Sequence, residues 1–135
     1  MFKGETTVRV RYGETDKMGY VYYGYYSLYY ETARTEVIRE LGLPYSELEA
    51  RGIMLPVARM NVKYVLPAKY DELLRIVTEI PEVPNRFIKF RHEIYNPEDE
   101  LINIAELTLL FMDDKTRSMS RAPQDLIDKL KPYYS

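Results

Sequence analysis

The sequence predicts an α+β fold in which a curved antiparallel β-sheet wraps around one long central helix. A helical periodicity covers residues 25–41, and after it four segments show the period-two alternation of strands. Short turns join these segments, and such strands pair antiparallel because parallel pairing needs long crossovers. The resulting sheet has one face to cover, and the long helix is its natural cover.

The first predicted strand lies near the start of the chain. Val8, Val10 and Tyr12 alternate with arginines at positions 9 and 11, which predicts one buried face. Residues 1–7 carry charges and no apolar stretch, so we expect neither a signal peptide nor a membrane span. A loop rich in Gly, Asp and Thr follows over about residues 13–24.

The long helix is predicted from about Tyr25 to Leu41, because apolar positions recur there at helical spacing. These positions are Tyr26, Tyr29, Tyr30, Ala33, Val37 and Leu41. Gly42 and Pro44 supply a stop signal, and the charged residues between the apolar ones predict a helix with one wet side. A short second helix is predicted from Tyr45 to Arg51.

Four strands and a closing helix are predicted in the rest of the chain. The strands cover about residues 60–66, 74–78, 88–94 and 101–112 in a largely antiparallel meander, with Pro, Asn or Asp in each turn. The last run is apolar on both faces for much of its length, which predicts that another helix or a second subunit covers its second face. Ala122 and Pro123 open the closing helix, with Pro at the first helical position.

Composition predicts one globular domain over residues 1–135 and argues against several kinds of site. The length matches one ordinary domain. A formal net charge of -2 leaves no basic field for nucleic acid. Without cysteine there is no disulfide, thiolate metal site or cysteine nucleophile, and a reducing compartment is compatible, so we expect a cytoplasmic protein.

Tyrosine is concentrated in one part of the chain. The sequence has fourteen tyrosines and no tryptophan, and seven of the tyrosines fall between Tyr20 and Tyr30. A ring with a polar tip suits an interface or a ring-lined pocket. The alternative is a surface-rich stretch without function.

Asp16 lies in the loop that leads from the first strand into the long helix, a place where functional residues concentrate. Two interpretations stay open from the residues alone. Either Asp16 is functional, or Thr15 or Asp16 caps a short turn that Gly19 closes in a left-handed conformation. Residues two apart in a loop have no fixed spatial relation, so Glu14 and Asp16 do not indicate a paired acid and base. We expect Glu14 to be solvated.

The other candidates give little support for a metal or cofactor site. His92 is the sole histidine and lies mid-strand among apolar residues, which favours a core or interface residue. No Gly-x-Ser-x-Gly elbow or Gly-rich phosphate loop is present, so neither a serine triad nor a nucleotide cofactor has a motif. Two basic pairs share strand faces and either meet the phosphates of a nucleotide-tailed substrate or stay solvated. These pairs are Arg59 with Lys63, and Lys89 with Arg91.

One continuous run of residues carries a family resemblance. From position 9 to 26 the chain reads Arg-x-Arg-Tyr-Gly-Glu-Thr-Asp-Lys-Met-Gly-Tyr-Val-Tyr-Tyr-Gly-Tyr-Tyr. This run resembles the hotdog-fold thioesterases of the 4-hydroxybenzoyl-CoA thioesterase type. Residues 62–73 and 113–123 agree with later family segments in order and spacing. The resemblance implies a hotdog fold and a homodimer that assembles into a homotetramer, with the site where two chains meet.

The resemblance also implies roles for individual residues. The family's catalytic carboxylate is the Asp of a Thr-Asp-x-x-Gly motif, which falls on Asp16 as nucleophile or general base. Backbone N–H groups around Tyr23 and Gly24 would hold the thioester carbonyl, with Gly19 and Tyr25 in the same substrate site. A helix start suits this task, because its free N–H groups carry partial positive charge. Tyr23 and Tyr25 replace a frequent family His and Asn.

The predicted function is therefore hydrolysis of an acyl-CoA or acyl-carrier-protein thioester to acid and thiol, without metal or cofactor and without a membrane or nucleic-acid partner. The alternative is a non-catalytic acyl-ligand binding or scaffold module on the same fold, motivated by the replaced His and Asn. A hydratase has less support, because it would pair a histidine with the carboxylate and His92 lies in a distant strand.

Overall fold

The computed structural model describes residues 1–134, and its element order confirms the α+β class. The strands are β1 (Phe2–Arg9), β2 (Ile53–Met54), β3 (Val57–Tyr64), β4 (Leu73–Ile80), β5 (Phe87–Tyr95), β6 (Leu101–Leu110) and β7 (Met112–Asp113). The helices are α1 (Tyr26–Glu40), α2 (Tyr45–Ala50) and α3 (Gln124–Leu130), with short 3₁₀ turns at Tyr12–Glu14, Tyr23–Tyr25 and Lys131–Tyr133. Of the helices in this part of the chain, none is long and apolar enough to span a bilayer.

Five strands form one antiparallel sheet in the order β1–β4–β5–β6–β3. The predicted meander is right for β4, β5 and β6 but wrong for β3, which pairs with β6 at the far edge. The link over residues 65–72 permits this order, since its eight residues reach about 26 Å when extended and three strand spacings need about 14 Å. Along this link, the Ala68 N–H donates to the Tyr26 hydroxyl at 3.3 Å and ties the link to the start of α1.

One face of the sheet packs on α1 and forms the core. On β5 the inward positions alternate and are all buried, at Ile88, Phe90, His92 and Ile94. From α1, Tyr30, Ala33 and Val37 are buried against this face. β1 approaches the helix closely, because a Cβ on Gly4 would lie 2.9 Å from Val37 Cγ2.

β1 begins and ends earlier than predicted. It covers Phe2–Arg9, whereas Tyr12 lies in a 3₁₀ turn with 77% of its surface exposed. Gly4 and Thr6 occupy inward positions of β1, so the first half of this strand carries little apolar signal. Val10 is fully buried just beyond the strand, and the predicted alternation ends there.

The remaining elements lie close to their predicted positions, with two differences. α3 begins at Gln124, so Pro123 is its N-cap and not its first helical residue. The strand predicted over 101–112 ends at Leu110, and Met112–Asp113 forms the separate strand β7. The outward face of β6 is half-buried at Ile104 and Thr108 and exposed at Glu106, so its cover by a second subunit stays a prediction. The helix predicted from Tyr45 is confirmed as α2.

Candidate active site

Asp16 lies in a tight turn between β1 and α1. Its N–H donates to the Tyr20 carbonyl at 2.8 Å, and its carbonyl accepts the Gly19 N–H at 3.0 Å. Gly19 has a φ of 79°, the left-handed conformation that favours glycine. Asp16 Oδ1 accepts the N–H of Met18 at 2.9 Å and that of Tyr20 at 3.3 Å. The interpretation of Asp16 as a turn cap closed by Gly19 is therefore confirmed.

The second carboxylate oxygen of Asp16 is not used by the turn. Within residues 1–134, no group donates a hydrogen bond to Asp16 Oδ2. The residue is half-buried and lines a cavity of about 480 Å³. Capping thus does not exclude chemistry, because one oxygen fixes the carboxylate in the turn and the other stays unpaired.

Tyrosine rings form much of the wall of this cavity. Four of the seven tyrosines between residues 20 and 30 lie there, together with Tyr64 from β3. The full lining is Asp16, Met18, Tyr20, Val21, Tyr22, Tyr23, Tyr26, Tyr64, Val65, Leu66 and Pro67. Tyr26 and Tyr64 pack edge to face with ring centroids 5.6 Å apart. The prediction of a ring-lined pocket is confirmed.

The chain enters α1 through the 3₁₀ turn at Tyr23–Tyr25, and this entry leaves two backbone donors unpaired. The Tyr25 N–H donates to the Tyr22 carbonyl at 2.9 Å, and the Tyr26 N–H donates to the Tyr23 carbonyl. Across the described chain, no protein acceptor bonds the N–H of Tyr23 or Gly24. Unpaired N–H groups at a helix start carry partial positive charge, so these two suit an anionic oxygen.

The structure brings some of the predicted site residues together and separates others. Asp16 and Tyr23 line the same cavity, and Gly24 follows Tyr23 directly. Gly19 and Tyr25 are not part of the lining. Gly19 instead closes the Asp16 turn, and Tyr25 is partly buried against the core with its N–H already paired.

Glu14 is buried, and the prediction of a solvated side chain is wrong. Only 6% of its surface is exposed. Its Oε1 accepts the Arg11 N–H at 2.8 Å and the Tyr29 hydroxyl at 2.9 Å, and its Oε2 accepts Arg11 Nε–H at 3.1 Å. The sequence held one signal for this contact, because Tyr29 lies on the buried stripe of the helix and its hydroxyl needs a partner.

Hydrogen bonding keeps Glu14 ionised. Burial opposes its charge, but the bonds from the Arg11 N–H, the Tyr29 hydroxyl and the Arg11 guanidinium outweigh burial, so the pKa of Glu14 lies below its usual value. Burial, followed by the bond to Glu14, raises the pKa of Tyr29. Glu14 is therefore a fixed anion and a poor proton donor near neutral pH.

His92 is a core residue. It is fully buried, its Nδ1 lies 2.8 Å from Thr78 Oγ1, and its ring stacks on Tyr30 with centroids 5.3 Å apart. Burial, aided by the charge of Arg34, lowers the pKa of His92 to about 3, so the ring is neutral. The core interpretation is confirmed. In residues 1–134, no three His, Cys, Asp or Glu side chains are grouped as metal ligands.

The basic residues of the outer sheet face are only partly gathered. Arg59, Lys89 and Arg91 line a cavity of about 590 Å³, and Lys63 does not. Acidic neighbours engage two of them, with Lys89 3.1 Å from Glu82 and Arg91 3.1 Å from a carboxylate on its own strand. A role for these residues toward substrate phosphates stays a prediction.

The chain is similar to several known proteins. The model of the thioesterase-like superfamily matches residues 10–130. The acyl-CoA thioester hydrolase YbgC of Escherichia coli O6:H1 is 34% identical over 124 residues, which cover 92% of each chain. A DHNA-CoA thioesterase from Staphylococcus aureus superposes with a TM-score of 0.91 at 31% identity, covering 98% of this chain and 89% of that one.

A structural likeness also exists to 4-hydroxybenzoyl-CoA thioesterase itself. A variant of that enzyme, complexed with 4-hydroxybenzoyl-CoA, superposes with a TM-score of 0.84 at 24% identity over 96% of this chain and 99% of that one. At this identity the likeness shows the fold alone. Together with the more similar structure, it confirms the hotdog fold implied by the sequence resemblance.

Proposed function

Because the chain belongs to the thioesterase-like superfamily, we propose that it hydrolyses acyl-CoA thioesters with Asp16 as its catalytic carboxylate. Its similarity to named acyl-CoA thioester hydrolases makes it a thioester hydrolase. One observation carries the proposed mechanism: an unpaired oxygen of Asp16 and the unpaired N–H of Tyr23 belong to residues that line one apolar cavity. A thioester carbonyl placed between them meets a nucleophilic oxygen and an electropositive donor.

Two roles for Asp16 fit this arrangement. As nucleophile, its oxygen adds to the thioester carbonyl carbon, the C–S bond breaks, and the thiolate leaves; water then hydrolyses the resulting anhydride and restores Asp16. As general base, Asp16 takes a proton from water, whose oxygen adds to the carbonyl before the same thiolate leaves. Both roles use the oxygen that the turn leaves unpaired.

The 3₁₀ turn at Tyr23–Tyr25, which leads into α1, serves as the oxyanion hole. The N–H groups of Tyr23 and Gly24 have no protein acceptor within residues 1–134, so they reach a developing oxyanion without breaking a helix bond. Preorganised backbone donors of this kind stabilise the tetrahedral intermediate more than the ground state. The replaced family His and Asn are not needed for this step, because the donors are backbone groups.

The tyrosine-lined cavity is assigned to the acyl group. Its volume of about 480 Å³ falls in the range of small-ligand pockets, and its wall is mostly apolar. CoA is the carrier in the name of the Escherichia coli relative, so acyl-CoA is the first substrate class. An acyl-carrier protein is the second carrier to be compared.

The free edge of the sheet supports a homodimer. Among residues 1–134, β3 pairs with β6 on one side only, and Val57, Met60 and Tyr64 leave much of their surface exposed along it. A long apolar edge strand invites pairing with another strand. Tyr64 also lines the Asp16 cavity, so a dimer through β3 places the site beside the partner chain. We extend this proposal to a homotetramer. We also propose that the protein is cytoplasmic, because a chain without cysteine has no disulfide that a reducing compartment would break.

A panel of thioesters tests the function. Short, long and aromatic acyl groups are offered on CoA and on acyl-carrier protein, and release of free thiol is followed. Hydrolysis of at least one acyl-CoA is expected, with loss of turnover in Asp16→Ala. Tight acyl-CoA binding without hydrolysis of any thioester would favour the non-catalytic binding module instead.

A further inference from the structure

We propose that Glu14, held by Tyr29, is a positioning residue that sets the place of the Asp16 carboxylate relative to the start of α1. The inference rests on the proposed role of Asp16. Glu14 lies two residues before Asp16, yet it is almost fully buried and does not line the cavity. The proposed reaction gives it no chemical step.

The Glu14 carboxylate joins the loop to the helix. Oε1 accepts the Tyr29 hydroxyl at 2.9 Å, and Tyr29 is three residues beyond Tyr26, whose ring lines the cavity. Residues three apart on a helix are neighbours on one face. The same Oε1 accepts the Arg11 N–H at 2.8 Å, and Oε2 accepts Arg11 Nε–H at 3.1 Å, so the carboxylate is fixed from the loop side as well.

Backbone hydrogen bonds connect Glu14 to both parts of the site, the entry to α1 and Asp16. The Glu14 carbonyl accepts the Tyr22 N–H at 2.9 Å, and Tyr22 immediately precedes the unpaired N–H of Tyr23. Next in the ladder, a bridge joins residues 15 and 21, and the Asp16 N–H donates to the Tyr20 carbonyl. Glu14 therefore sits at the base of a short two-stranded loop whose tip holds Asp16.

A displacement of Glu14, at the base of this loop, moves the Asp16 carboxylate relative to the N–H groups of Tyr23 and Gly24. A misplacement of about 1 Å at a reacting group costs on the order of 100-fold in rate. Glu14 therefore connects the loop to α1 through its carboxylate and fixes their relative position.

Variants of Glu14 and Tyr29 test the inference against a matched control. Tyr29→Phe keeps the buried ring and removes only the hydroxyl. Tyr30→Phe is the control, because it removes a neighbouring buried hydroxyl that bonds Asn103 and not the loop. We expect kcat to fall about 10-fold in Tyr29→Phe and about 100-fold in Glu14→Ala, with KM within about twofold of wild type. Tyr30→Phe should retain kcat.

Glu14→Gln provides the conservative rescue, because an amide oxygen can still accept the Tyr29 hydroxyl, and it should retain more kcat than Glu14→Ala. Equal kcat in Tyr29→Phe and Tyr30→Phe, with both proteins folded by circular dichroism, would overturn the positioning role. Should Glu14→Ala fail to fold, Tyr29→Phe still decides the question.

A double-mutant cycle with Asp16 separates this inference from the proposed function. If Glu14 acts through Asp16, Glu14→Ala has no further effect on the residual rate of Asp16→Ala. Additive losses in the double variant would refute action through Asp16. Full activity of Asp16→Ala alone would instead remove Asp16 from the mechanism, while hydrolysis of the acyl-CoA would still stand.

Discussion

Tyr23→Pro removes one of the two oxyanion donors without removing a helix bond. The Tyr23 N–H has no acceptor within the described chain, so its loss leaves no carbonyl unpaired. Tyr23 is the first residue of the 3₁₀ turn, where proline is tolerated, and Tyr22 before it has φ -61° and ψ 133°, the extended conformation that a residue before proline prefers. The substitution therefore fits the backbone already present.

Loss of one backbone donor costs about 100- to 1,000-fold in kcat, or about 2.7–4 kcal/mol of transition-state stabilisation. Tyr23→Ala is the matched control, because it removes the same ring, which is 66% exposed, and keeps the N–H. Proline at a compatible position leaves stability unchanged or raises it by about 0.4–1 kcal/mol. We expect thiol release from an acyl-CoA to be slow in Tyr23→Pro only, with no loss of Tm. A kcat within about threefold of that of Tyr23→Ala would refute the oxyanion assignment.

Three further predictions concern stability and assembly. The pKa of His92 is about 3 in the folded chain and 6.5 when unfolded, so its contribution to the free energy of unfolding is complete above about pH 6.5 and is lost as pH falls toward 3. In urea unfolding, the free energy of unfolding should fall by a slope approaching about 1.4 kcal/mol per pH unit in that window. A His92→Gln variant with the same slope would contradict this. Gly4→Ala places a Cβ 2.9 Å from Val37 Cγ2 and should lower the free energy of unfolding by about 1–3 kcal/mol. Gly13→Ala should not lower Tm, because, apart from its chain neighbours, the added Cβ meets no heavy atom of residues 1–134 within 4 Å; equal Tm values for the two variants would contradict the close approach. Met60→Lys puts a charge on the exposed edge of β3 and should weaken the proposed dimer in sedimentation, and an unchanged dimer at low micromolar concentration would place the interface elsewhere.

Local patterns in the sequence predict the elements well where burial follows one period. The tyrosines of α1 recur at helical spacing, and the helix lies where they indicate. β1 shows the opposite case, because Gly4 and Thr6 fill its inward positions and hide the alternation. A glycine that admits a neighbouring helix leaves no apolar signal.

Contacts between distant residues are beyond such patterns. The pairing of β3 with β6 depends on the path of a link that passes the start of α1, and no local period encodes that path. In the same way, the burial of Glu14 depends on Tyr29, fifteen residues away. Asp16 was predictable as a cap and, through the family resemblance, as a candidate. The resemblance also indicated the N–H groups around Tyr23 and Gly24, but coordinates were needed to see that no protein acceptor within residues 1–134 pairs with them.

The rate of thiol release by Asp16→Ala, measured on an acyl-CoA that the wild-type protein hydrolyses, tests the proposed chemistry most directly. We expect kcat to fall by at least about 100-fold while acyl-CoA binding persists, because removal of the carboxylate takes away the nucleophile or base. Asp16→Asn is measured beside it on fresh protein, since deamidation would restore the aspartate. Turnover by Asp16→Ala near the wild-type rate would contradict a catalytic role for Asp16.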